Sequence, residues 1–189
     1  MTAILKVDTI QDTSGNNIIN ESSDTITIGA SGDTISIPSG ATIANSGTAT
    51  GFGKVLQVVT CTADTTARSS NSTSFVTASN TIFVNITPSA TSSKIYVLAS
   101  GSLYGSTATY NSLATIYRDS TNLATDAYNV VRSNADHIYG NYCMSFLDSP
   151  SSTSQIKYQV YFKSEGAANT VQLNLNGTQG IITAFEIAG

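Results

Sequence analysis

Residues 24–47 read DTITIGASG (24–32), DTISIPSG (33–40) and ATIANSG (41–47), one short unit written three times. Each copy carries a Thr-Ile step, so Ile26, Ile35 and Ile43 fall at matching places, and each ends in a glycine-containing turn. Ile26 and Ile28 stand two residues apart, as do Ile35 and Ile37, so in extended chain each pair points to one face. A single copy leaves those faces wet. Fully burying one isoleucine is worth about 1.5–3 kcal/mol, and no aromatic residue precedes Phe52 to supply a cover. The obvious neighbour is the same segment of other chains. Residues 1–51 are therefore expected to form an intertwined β stalk, with Ile26, Ile28, Ile35, Ile37 and Ile43 as its shared core.

Upstream, ILKVDTIQD (4–12) alternates apolar and polar positions and ends at the turn cluster DTSGNN, which reads as a short strand that starts the assembly. Turns are expected at Gly29-Ala30-Ser31-Gly32, Pro38-Ser39-Gly40 and Asn45-Ser46-Gly47, where glycine takes positive φ without steric cost. Gly51-Phe52-Gly53 is the expected hinge.

Downstream the pattern changes to a series of β runs: KVLQVVTC, STSFVT, TIFVNIT, KIYVLASGSL, LATIYRD, IYGNYCMSFL, QIKYQVYFK, TVQLNL and GIITAFEIA. Ser, Asn, Gly and Asp clusters separate most of them, and no segment sustains a helical period. All nine tyrosines and six phenylalanines lie in residues 52–189, a normal size for one packed core. Eight to ten short strands with aromatics at alternate positions suit a jelly roll or a related β-sandwich. Ser149-Pro150-Ser151-Ser152 should end one strand, because proline cannot donate to a ladder.

Charge divides the same way. Up to Gly51 there are Asp8, Asp12, Glu21, Asp24 and Asp33 against Lys6, which accounts for the whole net charge of −4; the remainder balances seven acids with seven bases. A chain with 11% charged residues and no basic stripe is a poor partner for nucleic acid. No apolar run reaches the roughly 18 residues that span a bilayer, and MTAILKVDT lacks an h-region and a cleavage site, so membrane insertion is not expected and synthesis in the cytoplasm is. Cys61 and Cys143 are too few for a disulfide framework, and their settings, VVTCT and NYCMSF, read as two buried reduced thiols, with a single disulfide between them as the alternative.

Enzymatic readings find little support. Glycan hydrolysis needs two carboxylates flanking one bond, yet Asp119, Asp126, Asp136, Asp148, Glu165 and Glu186 read as turn or surface residues. His137 is the single histidine, expected to be structural or superficial, and no G-x-S-x-G elbow surrounds any serine. One histidine and two distant cysteines do not make a zinc site. GASGDTISI departs from the calcium-binding nonapeptide at Ala30 and in the placing of Asp33. No catalytic residue, metal or cofactor is expected. Recognition remains: Tyr104, Tyr110, Tyr128 and Tyr139, with Tyr142, lie in or near expected loops, and tyrosine presents an apolar face with a polar tip suited to sugar rings. Core or inter-subunit packing is the competing use for each.

Taken together, ILKVDTIQD, SGNNIINES, TITIGASGDTISIPSGATI, GFGK, SSKIYVLASG, YRDST, FLDSPSS and the terminal FEIAG resemble short tail-fibre-like virion proteins of marine bacteriophages, including those infecting cyanobacteria. The resemblance runs nearly end to end and departs most between Ala124 and Tyr139. It implies a homotrimer whose N-terminal segment seats in the virion against other virion proteins. It also implies a C-terminal domain, 52–189, like the jelly rolls of tumour-necrosis-factor-like and complement-like trimers. The expectation is thus an all-β chain, a trimeric stalk followed by a jelly-roll-like head. Such a chain would be a non-enzymatic tail fibre that contributes to host-surface adsorption, with a host glycan or protein as its target. A capsid-surface fibre or decoration protein, and a glycan-binding module proper, are the alternatives.

Overall fold

Backbone pairing in the computed structural model is almost entirely antiparallel β, and the structure describes residues 9–11, 13–15, 17–23, 25–29, 31–42, 55–124, 129–132 and 134–189. The chain divides into two units, Met1–Thr50 and Gly51–Gly189. Ile43, Tyr128, Asp126 and the Gly51-Phe52-Gly53 hinge, each singled out in the sequence, lie outside the described residues.

The first unit is a three-stranded meander of β1 (Thr9–Gln11), β2 (Asn17–Ser22) and β3 (Thr25–Ile28). The opening strand thus pairs within its own chain. Its register aligns Ile10 with Ile19 and Ile19 with Ile28, so three isoleucines form one cross-strand row. Ile26, two residues along β3, joins that face. The first copy of the repeat is therefore a strand, whereas the second, around Ile35 and Ile37, is extended without a ladder and the third lies outside the described residues. Its turn is as expected: Ala41 N–H donates to Pro38 O at 3.0 Å, and Gly40 sits at φ 85°, which a type II turn requires at that place.

The second unit is a β-sandwich. Its strands are β4 (Val55–Thr60), β5 (Arg68–Ser70), β6 (Phe83–Ile86), β7 (Lys94–Gly105), β8 (Ser112–Arg118), β9 (Thr121–Asn122), β10 (Asn129–Val131), β11 (Ile138–Asp148), β12 (Ile156–Ser164), β13 (Val171–Leu173) and β14 (Ile181–Ile187). One sheet runs β10-β8-β12-β6 with β9 beside β8; the other runs β4-β14-β7, with β11 also on β7, and β13, which carries β5, pairs with the end of β7 at Leu103–Gly105, past the stretch that pairs with β14. Alternation decides the faces. Ile95, Val97 and Ala99 of β7, Tyr142 and Met144 of β11, Tyr158, Val160 and Phe162 of β12, and Ile182 and Ala184 of β14 point inward as one buried core. A Cβ on Gly101 would come 2.5 Å from the Tyr142 hydroxyl, so glycine there makes room for the buried ring.

Several expectations need correction. STSFVT does not form a strand: Val76 alone bridges to Phe162, because Ser70, Ser72 and Ser74 bond one another's backbone and compete with the ladder. Tyr142 is a core residue on β11 and not a loop tyrosine. Neither cysteine is fully buried. Cys143 occupies an outward position between the inward Tyr142 and Met144 and is exposed, while Cys61 is half-buried against the core and accepts Ile182 N–H at 3.3 Å; both are free thiols.

Carboxylates expected at the surface instead tie the sandwich together. Glu186 is fully buried on β14: Oε1 accepts Ser89 N–H and Oγ–H, both at 2.6 Å, and Ser93 Oγ–H at 2.7 Å, while Oε2 accepts Gln57 Nε2–H at 2.6 Å. Burial pushes its carboxyl up, but these hydrogen bonds outweigh it and hold the pKa at about 2. Asp148, buried at the end of β11, accepts two bonds from Arg118 at 2.9 Å and the Tyr158 hydroxyl at 2.7 Å. Burial, then this bond to Asp148, raises the Tyr158 pKa. Asp64 is also buried; it accepts Thr66 N–H and Thr81 N–H, and although burial pushes it up, these bonds and Arg68 leave it lowered.

Candidate functional site

Two different surfaces arise on the outward face of the β4-β14-β7-β11 sheet. At one end, register places Val58 opposite Phe185, Phe185 opposite Tyr96 and Tyr96 opposite Leu147, which forms an apolar row across four strands. The Tyr96 and Phe185 rings lie 6.1 Å apart, tilted by 44°. A register shift between Glu186 and Ile187 adds one residue to β4, and Val55 and Leu56 are both exposed. Leu98, Ile181 and Cys143 extend the exposed face toward the middle of the sheet. Tyr96 and Phe185 are half-buried, and Leu147 keeps 50% of its surface in water. Apolar strand residues are normally covered by a second layer, and here the core occupies only the opposite face.

At the other end of β7 and β11 the chemistry changes. Tyr104 and Tyr139 are directly opposed, with ring centroids 5.1 Å apart and planes at 52°. The Tyr104 hydroxyl meets His137 Nδ1 at 2.6 Å, and the two rings stack at 6.1 Å. His137 lies in the bend before β11 at φ 58°, so the Asp136-His137 neighbours are not strand residues. The rings border a groove of about 240 Å³ whose polar wall includes Ser102, Asn141, Asn176 and Thr178. Asn174 and Asn176 both adopt left-handed backbone, at φ 56° and 58°, which shapes the Leu175–Gly177 turn on that wall. Asparagine tolerates this conformation better than most residues.

Of the tyrosines expected to contact a receptor, the fold brings Tyr104 and Tyr139 together. Tyr110 stands apart against Gly166, and Tyr128 lies outside the described residues. Of the expected stalk-core isoleucines, Ile26 and Ile35 keep 68% and 60% of their surface exposed, and Ile28 and Ile37 are exposed as well. Ile10 and Ile19 also belong to the exposed meander face, which the repeat alone did not indicate. Asp136 and Glu165, exposed, accept backbone N–H groups of Ala108 and Asn111, and Asp119 accepts that of Lys157. Among the described residues no three His, Cys, Asp or Glu side chains converge as a metal-binding group, and no helix is long and apolar enough to cross a membrane. No protein-family model matches this chain, and no curated protein matches it.

Proposed function

We infer that the chain is a structural, non-enzymatic bacteriophage fibre protein: a homotrimer with an N-terminal stalk and a jelly-roll head, carried on the virion tail and contributing to host-surface adsorption. The observation that carries this reading is the exposure of Ile10, Ile19, Ile26, Ile28, Ile35 and Ile37, every isoleucine of the first unit whose side chain is described. Six isoleucines in water forgo several kcal/mol of burial, and other copies of the same segment are the complementary surface always at hand.

Three further features support it. The head is built from two antiparallel sheets, of five and six strands, closed on one core, an architecture that a jelly-roll-like head would have. The row from Val58 to Leu147 offers the heads an apolar face for the same association. The resemblance to marine phage fibres, which runs nearly end to end, suggests the setting, in which the N-terminal segment meets other virion proteins. Threefold display then turns weak head contacts into durable attachment through effective concentration.

Immunogold labelling of intact particles with an antibody to the head tests the placement. Gold at the tail, together with loss of adsorption when free protein is added, is the expected result; gold over the capsid would reassign the chain to a head fibre.

A further inference from the structure

We propose that the groove between Tyr139 and the Leu175–Gly177 turn is a binding site for a single uncharged sugar ring. This deepens the adsorption part of the fibre reading and names the ligand class for it. Tyr139 is the most exposed large apolar side chain described in the head, at 64%. Unlike an accidental surface tyrosine, it is braced: Tyr104 lies against it, and the Tyr104 hydroxyl is itself fixed by His137. A braced ring loses little freedom when a ligand stacks on it. Its open face suits the C–H face of a pyranose, an apolar surface edged by hydroxyls.

The opposite requirement is hydrogen bonding, and the groove supplies it without charge. Asn141 and Asn176 are exposed, and their side-chain amides have no partner among the described residues, so each brings two donors and an acceptor to the groove. Ser102 and Thr178 hydroxyls, bonded to each other, close the wall. None of the described lining residues is charged, and the nearby Asp136 carboxylate accepts Ala108 N–H at 2.7 Å. Among the described lining residues, no cationic side chain is present to compensate the charge of an acidic sugar. The size agrees with one ring: about 240 Å³ falls below the roughly 300–1,000 Å³ of pockets that enclose drug-sized ligands.

Position keeps this site distinct from the apolar row. Tyr104 lies eight residues along β7 from Tyr96, about 26 Å at strand rise, so heads that meet through the row leave the groove at the far end of the sheet.

Saturation-transfer NMR on the full-length protein tests the proposal, with glucose, galactose, mannose and N-acetylglucosamine as probes and glucuronic and N-acetylneuraminic acids as anionic comparators. At least one neutral sugar should bind with a Kd on the order of 1–10 mM, as expected for so few ligand atoms. Tyr139→Ala should weaken it at least 10-fold, Tyr139→Phe less than 3-fold because the ring carries the contact, and Asn141→Ala about 3-fold. No transfer to any neutral sugar, a preference for the acids, or wild-type affinity in Tyr139→Ala would each overturn the proposal. Light scattering on the same samples reports the oligomer, so loss of sugar binding with an unchanged trimer mass refutes this site and leaves the fibre reading intact.

Discussion

The N-terminal meander and the head use the same antiparallel hydrogen bonding, yet they differ in what their side chains meet. In the meander the backbone is paired and the described isoleucines remain in water. In the head a second sheet covers the first, and every buried hydrophobic described in the chain lies between Ile82 and Ala184. The difference teaches that ladders make strands, whereas only a second layer makes a core. One unit contains its own second layer. The other would borrow it from further copies under the proposed fibre reading.

If that contrast is right, charge in the meander should act on assembly and cavities in the head should act on folding. Ile28→Asp, at the end of the Ile10-Ile19-Ile28 row, would set three carboxylates into one dry core, at several kcal/mol each. The expected outcome is complete loss of the trimer in sedimentation, with the head melting unchanged; a trimer that survives would show that this face is not the interface. Phe162→Ala should do the reverse. Removing a fully buried ring from β12 costs about 3–5 kcal/mol, so calorimetry should show a lower head transition while the stalk association persists.

A smaller effect separates the two units by pH. Because Glu186 is held at about 2 when folded, against 4.5 as its ordinary value, its stabilisation is fully present above pH 4.5 and is lost as pH falls toward 2. The shift corresponds to at most about 3 kcal/mol. The lowered Asp64 acts in the same direction. The head should therefore melt progressively lower between pH 4.5 and 2, and Glu186→Gln, less stable at neutral pH, should flatten that slope. An unchanged slope in the variant would mean that other carboxylates govern acid unfolding.

Much of the fold was legible because strands announce themselves by alternation. KIYVLASGSL, IYGNYCMSFL, QIKYQVYFK and GIITAFEIA correspond to β7, β11, β12 and β14. Arg68–Ser70 was invisible as β5, since it has no apolar residue to alternate. Polar burial was equally hard to see. Glu186 and Asp148 sit at inward positions whose partners, Tyr158, Arg118, Ser93, Ser89 and Gln57, lie 10 to 129 residues away on other strands and loops, and local sequence carries no trace of such pairings. Cys143 shows the converse: its apolar neighbours suggested burial, whereas its place between inward Tyr142 and Met144 turns it outward.

The groove was half legible. Tyrosines near loops suggest recognition, but only the β7-β11 register brings Tyr104 and Tyr139 face to face, and only the Leu175–Gly177 turn adds Asn176 and Thr178 to the same groove as Asn141. A left-handed Asn-Gly pair is a signal that could have found that turn.

The mass of the intact protein in dilute solution tests the central claim most directly. Native mass spectrometry should give three times the 19.7 kDa chain mass. A 19.7 kDa species whose N-terminal amides are nonetheless protected from hydrogen exchange would contradict the account, because the exposed isoleucines would then need no partner chain.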